Sequence, residues 1–74
     1  LVIFLVIRFF GVVVAVGGPT PYTMEECIQS IEALVLPVEL KATATCVATD
    51  TKPSLGVLTP EQQQAVDAWA AKQQ

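Results

Sequence analysis

Leu1–Gly18 reads LVIFLVIRFFGVVVAVGG, and what these eighteen residues form decides the fold. Fourteen of them are apolar, and thirteen of those are Leu, Ile, Phe or Val. As a helix the stretch would extend about 27 Å at 1.5 Å per residue, close to the roughly 30 Å hydrocarbon core of a bilayer. Its apolar side chains favour insertion by about 4–8 kcal/mol. Arg8, near the middle, opposes insertion by about 2.5–3.5 kcal/mol. The balance favours a retained single-span helix.

Two other readings compete. In the first, a secretory signal peptide, Arg8 closes a charged n-region, Phe9–Val16 is the apolar run, and Ala15-Val16-Gly17 offers a small-x-small cleavage site. In the second, the segment forms a pair of buried strands, since Val12, Val13, Val14 and Val16 are β-branched. Strands this apolar need cover on both faces, which a chain this short has little material to supply. With Arg8 on the N-terminal side and every acid downstream, an anchor would sit N-inside with an acidic tail on the exoplasmic side. The signal-peptide reading, with residues 1–17 removed, makes the tail a secreted or periplasmic protein. Gly11 and Ala15 give one small-xxx-small spacing, which occurs often enough in such segments to carry little weight.

Outward from this segment the composition changes. The remaining fifty-six residues have ordinary polarity and carry three lysines against seven acids. A tail of that size builds one small core at most, and such a core is marginal without a staple. The chain has no histidine, which removes the commonest general base and metal ligand. It has no basic stripe either, which argues against nucleic acid as a partner.

Residues 19–22 follow two glycines and contain Pro19 and Pro21, a break that reads as a linker. Thr23 and Glu26 then fit a capping box, and Met24, Cys27, Ile28, Ile31, Leu34 and Val35 recur at helical spacing. The spacing predicts a helix over 23–36, ended by Pro37. From Val38 the period becomes two: Val38, Leu40, Ala42, Ala44, Cys46 and Ala48 alternate mostly with charged residues and threonines. The segment 38–49 reads as strand, with helix as the alternative because of its alanines. Residues 50–58 are a loop by composition. Thr59, Pro60 and Gln62 open a last helix over 60–72 with a thin apolar face of Ala65, Val66, Trp69 and Ala70.

Cys27 and Cys46 are the most informative pair. In an exported tail the default is a disulfide, closing a loop of about 20 residues and contributing roughly 3 kcal/mol. A redox pair is the alternative, since Cys27 lies in a first helical turn, but the C-x-x-C spacing is missing. Two cysteines without histidine are too few for zinc. Glu25 and Glu26 are adjacent, about 100° apart on a helix, and suit capping better than acid–base work. Ser30 and Ser54 have no base at a recognisable spacing. Trp69, Tyr22 and Arg8 are the candidate partner contacts.

Leu36-Pro37-Val38-Glu39-Leu40, Cys46-Val47 and the Thr59-Pro60-Glu61 opening loosely resemble the secretoglobins, small secreted helical dimers linked by disulfides. The likeness covers about half of the chain. The alternation over 38–48 and the cysteine placement depart from that pattern, and no function is carried over. The expectation is thus a mainly α protein: a single transmembrane (or signal) helix, then a disulfide-stapled helix–strand–helix tail. Its expected role is that of a non-catalytic accessory subunit in a membrane assembly, with lipid and other subunits as partners and no cofactor, metal or small-molecule substrate. The alternative is a secreted or periplasmic binding module.

Overall fold

The computed structural model describes residues 1–73. Its centre is a three-stranded antiparallel sheet in the order β2-β1-β3, with strands β1 (Val2–Phe9), β2 (Val12–Thr20) and β3 (Thr43–Thr49). Two helices, α1 (Met24–Glu32) and α2 (Pro60–Lys72), and a single 3-10 turn at Val38–Leu40 complete it. About one third of the described chain is strand.

The expected N-terminal membrane or signal helix is therefore corrected to a β-hairpin, and the mainly α assignment falls with it. No helix among the described residues is long and apolar enough to cross a membrane. The physical reason lies in residue type and in one turn. Eight of the first eighteen residues are Val or Ile, stiff at χ1 and better suited to a pleated surface than to a helix. Phe10 and Gly11 both take positive φ, 55° and 79°, the pattern of a two-residue primed turn whose twist matches a hairpin. Phe9 and Val12 then pair across it.

Cover for β1 comes from the rest of the chain. Phe4 and Val6 are buried, while Ile3, Leu5, Ile7 and Phe9 between them are half-buried. A central strand apolar at almost every position is what partial cover on both faces requires. Arg8, the one charged side chain in the segment, bonds within the sheet: its Nη1 donates to Thr45 Oγ1 at 2.8 Å, across to β3. Residues 1–17 thus supply the central strand and most of β2, so their removal as a signal peptide would take out the sheet. The helical architecture implied by the likeness to secretoglobins is corrected for the same reason.

The two pairings of β1 differ. With β3 the register is unbroken from Val2↔Thr49 to Arg8↔Thr43. With β2 it slips twice, between Ile3 and Leu5 and between Ile7 and Arg8. The first slip lies opposite Gly18 and Pro19, where the peptide bond is cis and Gly18 has φ 121°. A Cβ on Gly18 would come within 3.1 Å of the Ile3 carbonyl oxygen, so the bulge needs glycine. β2 consequently runs through Pro19 and Thr20, where Thr20 Oγ1 donates to the Ile3 carbonyl at 3.0 Å.

α1 begins at its capping box, with Glu26 N–H donating to Thr23 Oγ1 at 3.2 Å and Thr23 N–H to Glu26 Oε1 at 2.9 Å. It ends at Glu32, a turn before Pro37. The segment after Pro37 does not go straight into a strand. Leu40 N–H and Ala42 N–H both donate to the Pro37 carbonyl, and Lys41 sits in the left-handed region at φ 49°. This winds Val38–Leu40 into a turn and sinks Leu40 into the core at 0% exposure, beside Phe4, Val6 and Cys27. Leu40 also accepts a backbone hydrogen bond from Phe10, which fixes the hairpin tip against the turn.

Candidate functional site

Cys27 and Cys46 are joined, as the sequence predicts. The bond ties the first turn of α1 to the middle of β3, with Cα atoms 6.2 Å apart and Cys27 almost wholly buried. Nothing else on α1 is buried: Met24 and Ile31 are partly covered and Ile28 is exposed. The staple is the strongest single attachment of this helix to the sheet.

An apolar concavity lies at the hairpin end of the molecule and is assembled from three remote segments. Phe9 and Val14 come from the sheet. Leu55–Leu58 runs beside β2 as a strap, with Gly56 N–H donating to the Val13 carbonyl at 2.8 Å. Gln63 and Val66 come from α2. Together they enclose an open groove of about 390 Å³. The strap approaches β2 so closely that a Cβ on Gly56 would lie 2.7 Å from Val12 Cγ1. This is why a glycine stands there.

α2 forms for local reasons. Thr59 and Gln62 complete a reciprocal capping box, at 3.1 Å and 3.0 Å, and Pro60 occupies the first helical turn. Its attachment is aromatic: the Trp69 ring meets Phe9 edge-on, with centroids 6.2 Å apart and an interplanar angle of 71°. Gln63 Nε2 donates to Asp67 Oδ1 one turn along. That leaves the groove wall with uncharged, mostly apolar chemistry. A neighbouring depression between Phe10, Glu39, Glu61 and Gln62 is acidic instead.

The three candidate contacts are dispersed. Trp69 is half-buried, its ring edge-on to Phe9, which itself lines the groove. Arg8 is adjacent in sequence, but its guanidinium is engaged with Thr45. Tyr22 is exposed beyond the end of β2, next to the edge where Thr20 pairs with Ile3, roughly 20 Å of strand away from Phe9. Sequence reasoning missed the strap: Leu55, Gly56 and Val57 read only as loop. A leucine and a valine flanking a glycine in a loop of that kind was the available signal, and both side chains are exposed.

A second apolar surface lies between the two cysteines. Leu34, Val35 and Val38 are exposed, Val35 almost fully at 98%, while Leu36 and Pro37 between them are half-buried.

Among the described residues, Glu26 is the one group whose titration is clearly displaced. Its carboxyl is held below the usual glutamate range because the carboxylate accepts the Thr23 backbone N–H, with the Thr23 hydroxyl adding to it. The cause is the cap, not a reactive site. Comparison of the chain with protein-family models, curated proteins and solved structures finds no match.

Proposed function

We propose that this chain is an exported, non-catalytic interaction module that recognises another protein through the apolar groove at its hairpin end. The observation that carries the proposal is the Cys27–Cys46 bond. Stable disulfides belong to oxidising compartments, and small domains that build only a modest core depend on them there. The core here is small, with Phe4, Val6, Cys27 and Leu40 its buried apolar residues, so a staple of roughly 3 kcal/mol is a large share of any net stability. The groove adds the recognition surface. Its walls bring Phe9, Val14 and Val66 together with the exposed Leu55 and Val57, the kind of apolar concavity with a polar rim at which proteins associate.

Thiol trapping and photo-crosslinking test this together. The protein is taken from its source with an alkylating agent present, and a photo-crosslinker is placed at Val57. Unmodified cysteines and one discrete crosslinked species, lost on Leu55→Asp, are the expected result. Free, alkylated Cys27 and Cys46 would overturn the assignment to an oxidising compartment. A crosslinking pattern unchanged by Leu55→Asp would overturn the groove.

A further inference from the structure

We propose that the outer edge of β3 is a dimerisation surface, where two copies of this chain pair their β3 strands antiparallel about a twofold axis at Cys46. Two three-stranded sheets then become one continuous sheet. The surface is separate from the groove and goes beyond the reading above.

The ladder decides which backbone groups are free. In β1 the Ile3 carbonyl accepts from Thr20 Oγ1 of β2, and the Leu5 carbonyl lies on the same side, toward Gly17. Phe10 N–H, at the end of β1, points the other way and donates to the Leu40 carbonyl. Successive strand residues direct their N–H and C=O to alternate sides, so Phe4, Val6 and Arg8 face β3. Their partners there are Val47, Thr45 and Thr43, in a register without a bulge. Ala44, Cys46 and Ala48 therefore aim N–H and C=O away from the sheet, and no backbone group among the described residues meets them. The Cys46 side chain leaves the strand roughly perpendicular to the sheet, so the disulfide to α1 and the free edge point in different directions.

The character of the edge names its occupant. β3 reads TATCVAT, with no charge, proline or bulge to discourage pairing. The opposite edge of the sheet is already engaged, since Gly56 N–H holds the Val13 carbonyl. A second copy supplies a free, uncharged edge of equal length, and a twofold axis makes such an edge complementary to itself. Cys46 is the middle residue of β3. Centred there, Cys46 lies opposite Cys46, and Ala44 of each copy lies opposite Ala48 of the other. These are pairs that exchange two hydrogen bonds each, and together they use every outward group of the strand. The same register sets Thr43 opposite Thr49 and Thr45 opposite Val47, β-branched pairs that suit a sheet. On the face that carries α1, the opposing side chains beside the disulfides are alanines, which leave the most room for two helices.

Sedimentation of the intact oxidised protein from micromolar to millimolar concentration, with amide exchange followed by NMR, tests the proposal. A reversible monomer–dimer equilibrium is expected, because so short an interface belongs to the weak class. At low concentration the Thr43, Thr45 and Val47 amides should exchange slowly and those of Ala44, Cys46 and Ala48 fast. Raising the concentration should slow the second set by roughly 10-fold and leave the first unchanged. Ala48→Pro removes one outward N–H from each copy without touching the ladder to β1, and should weaken association by at least roughly 10-fold. Ala48→Val keeps that N–H and should still dimerise. The disulfide mass and the protection of the β1–β2 hairpin show whether each variant is folded; if Ala48→Pro is not, the exchange pattern of the unmodified protein decides alone. A protein that stays monomeric throughout, a dimer whose Ala44, Cys46 and Ala48 amides remain open, or a folded Ala48→Pro variant that dimerises undiminished would each overturn the proposal. The groove fails or stands separately, because Leu55→Asp lies by the other edge and should leave the dimer intact.

Discussion

The two edges of the sheet are secured by opposite means. β2 is an irregular edge: two bulges break its register with β1, a cis-proline lies near its end, and the strap at Gly56 adds a backbone hydrogen bond to Val13. Bulges, proline and cover are the usual ways of keeping an edge from pairing with another chain. β3 has none of these. Its seven residues are uncharged, its register with β1 is unbroken, and no loop or helix among the described residues adds a backbone bond to it. What packs against β3 is α1, and what ties α1 to it is one covalent bond. One edge is closed by backbone geometry; the other is flanked by a helix whose attachment depends on the redox state around it.

The contrast makes the edges separately breakable. The largest effect is expected from Cys27→Ala with Cys46→Ala, at roughly 3 kcal/mol in urea unfolding. Amide exchange should accelerate first in α1 and β3 while the β1–β2 hairpin keeps its protection. Equal loss of protection at both edges would break the comparison. Gly56→Val is next, at about 1–3 kcal/mol, because the new side chain meets Val12. Its exchange signature should be the mirror image, with Val12–Val14 and the strap loosened and the disulfide region unchanged. Trp69→Ala removes the edge-on contact with Phe9 and should cost about 0.5–1.5 kcal/mol beyond the lost burial. Thermal unfolding measures it, and loss of α2 helicity without loss of the sheet is the expected form.

The smallest effect concerns pH. The folded state favours ionised Glu26, so its carboxyl binds a proton more weakly than in the unfolded chain. The stabilisation from the cap is therefore fully present above the ordinary glutamate range and is lost as pH falls through the lowered folded value. A carboxyl NMR titration of Glu26 should show the depressed midpoint, and Thr23→Ala should raise it toward the ordinary range. Because alanine keeps the Thr23 backbone N–H, an unchanged midpoint would mean that the hydroxyl adds nothing to the shift.

The sequence makes the local chemistry readable and leaves the long-range partnerships obscure. Both capping boxes, Thr23 with Glu26 and Thr59 with Gln62, are complete within four residues, and the structure contains both. The cysteine pair is legible because only two exist. The hairpin is not legible, for two reasons. Summed hydrophobicity does not distinguish one eighteen-residue helix from two strands joined by a tight turn. The turn itself departs from the Asn-Gly or Asp-Gly pattern that marks its type, with Phe10 at a positive φ that bulky residues seldom adopt. Arg8 carried the corrective hint, since a charge inside an apolar run asks for a polar partner. That partner, Thr45, lies thirty-seven residues away. The groove is obscure for the same reason: Phe9, Gly56 and Val66 share no local pattern.

The position of β1 in chain order has a further consequence. The middle strand of the sheet is the first of the three to be synthesised, and its two neighbours arrive at different times. β2 follows after two residues and can zip up at once, within microseconds. β3 is complete only after another twenty-nine residues, which at ribosomal speed takes roughly 1.5 to 6 s. Throughout that interval the hairpin has an open side along Val2–Phe9, an apolar, β-prone stretch with a single charge to discourage wrong company. The nascent chain is thus most exposed to aggregation before the residues that finish its sheet exist. Arg8, which sits in that open strand and later bonds to Thr45, serves as its gatekeeper until then.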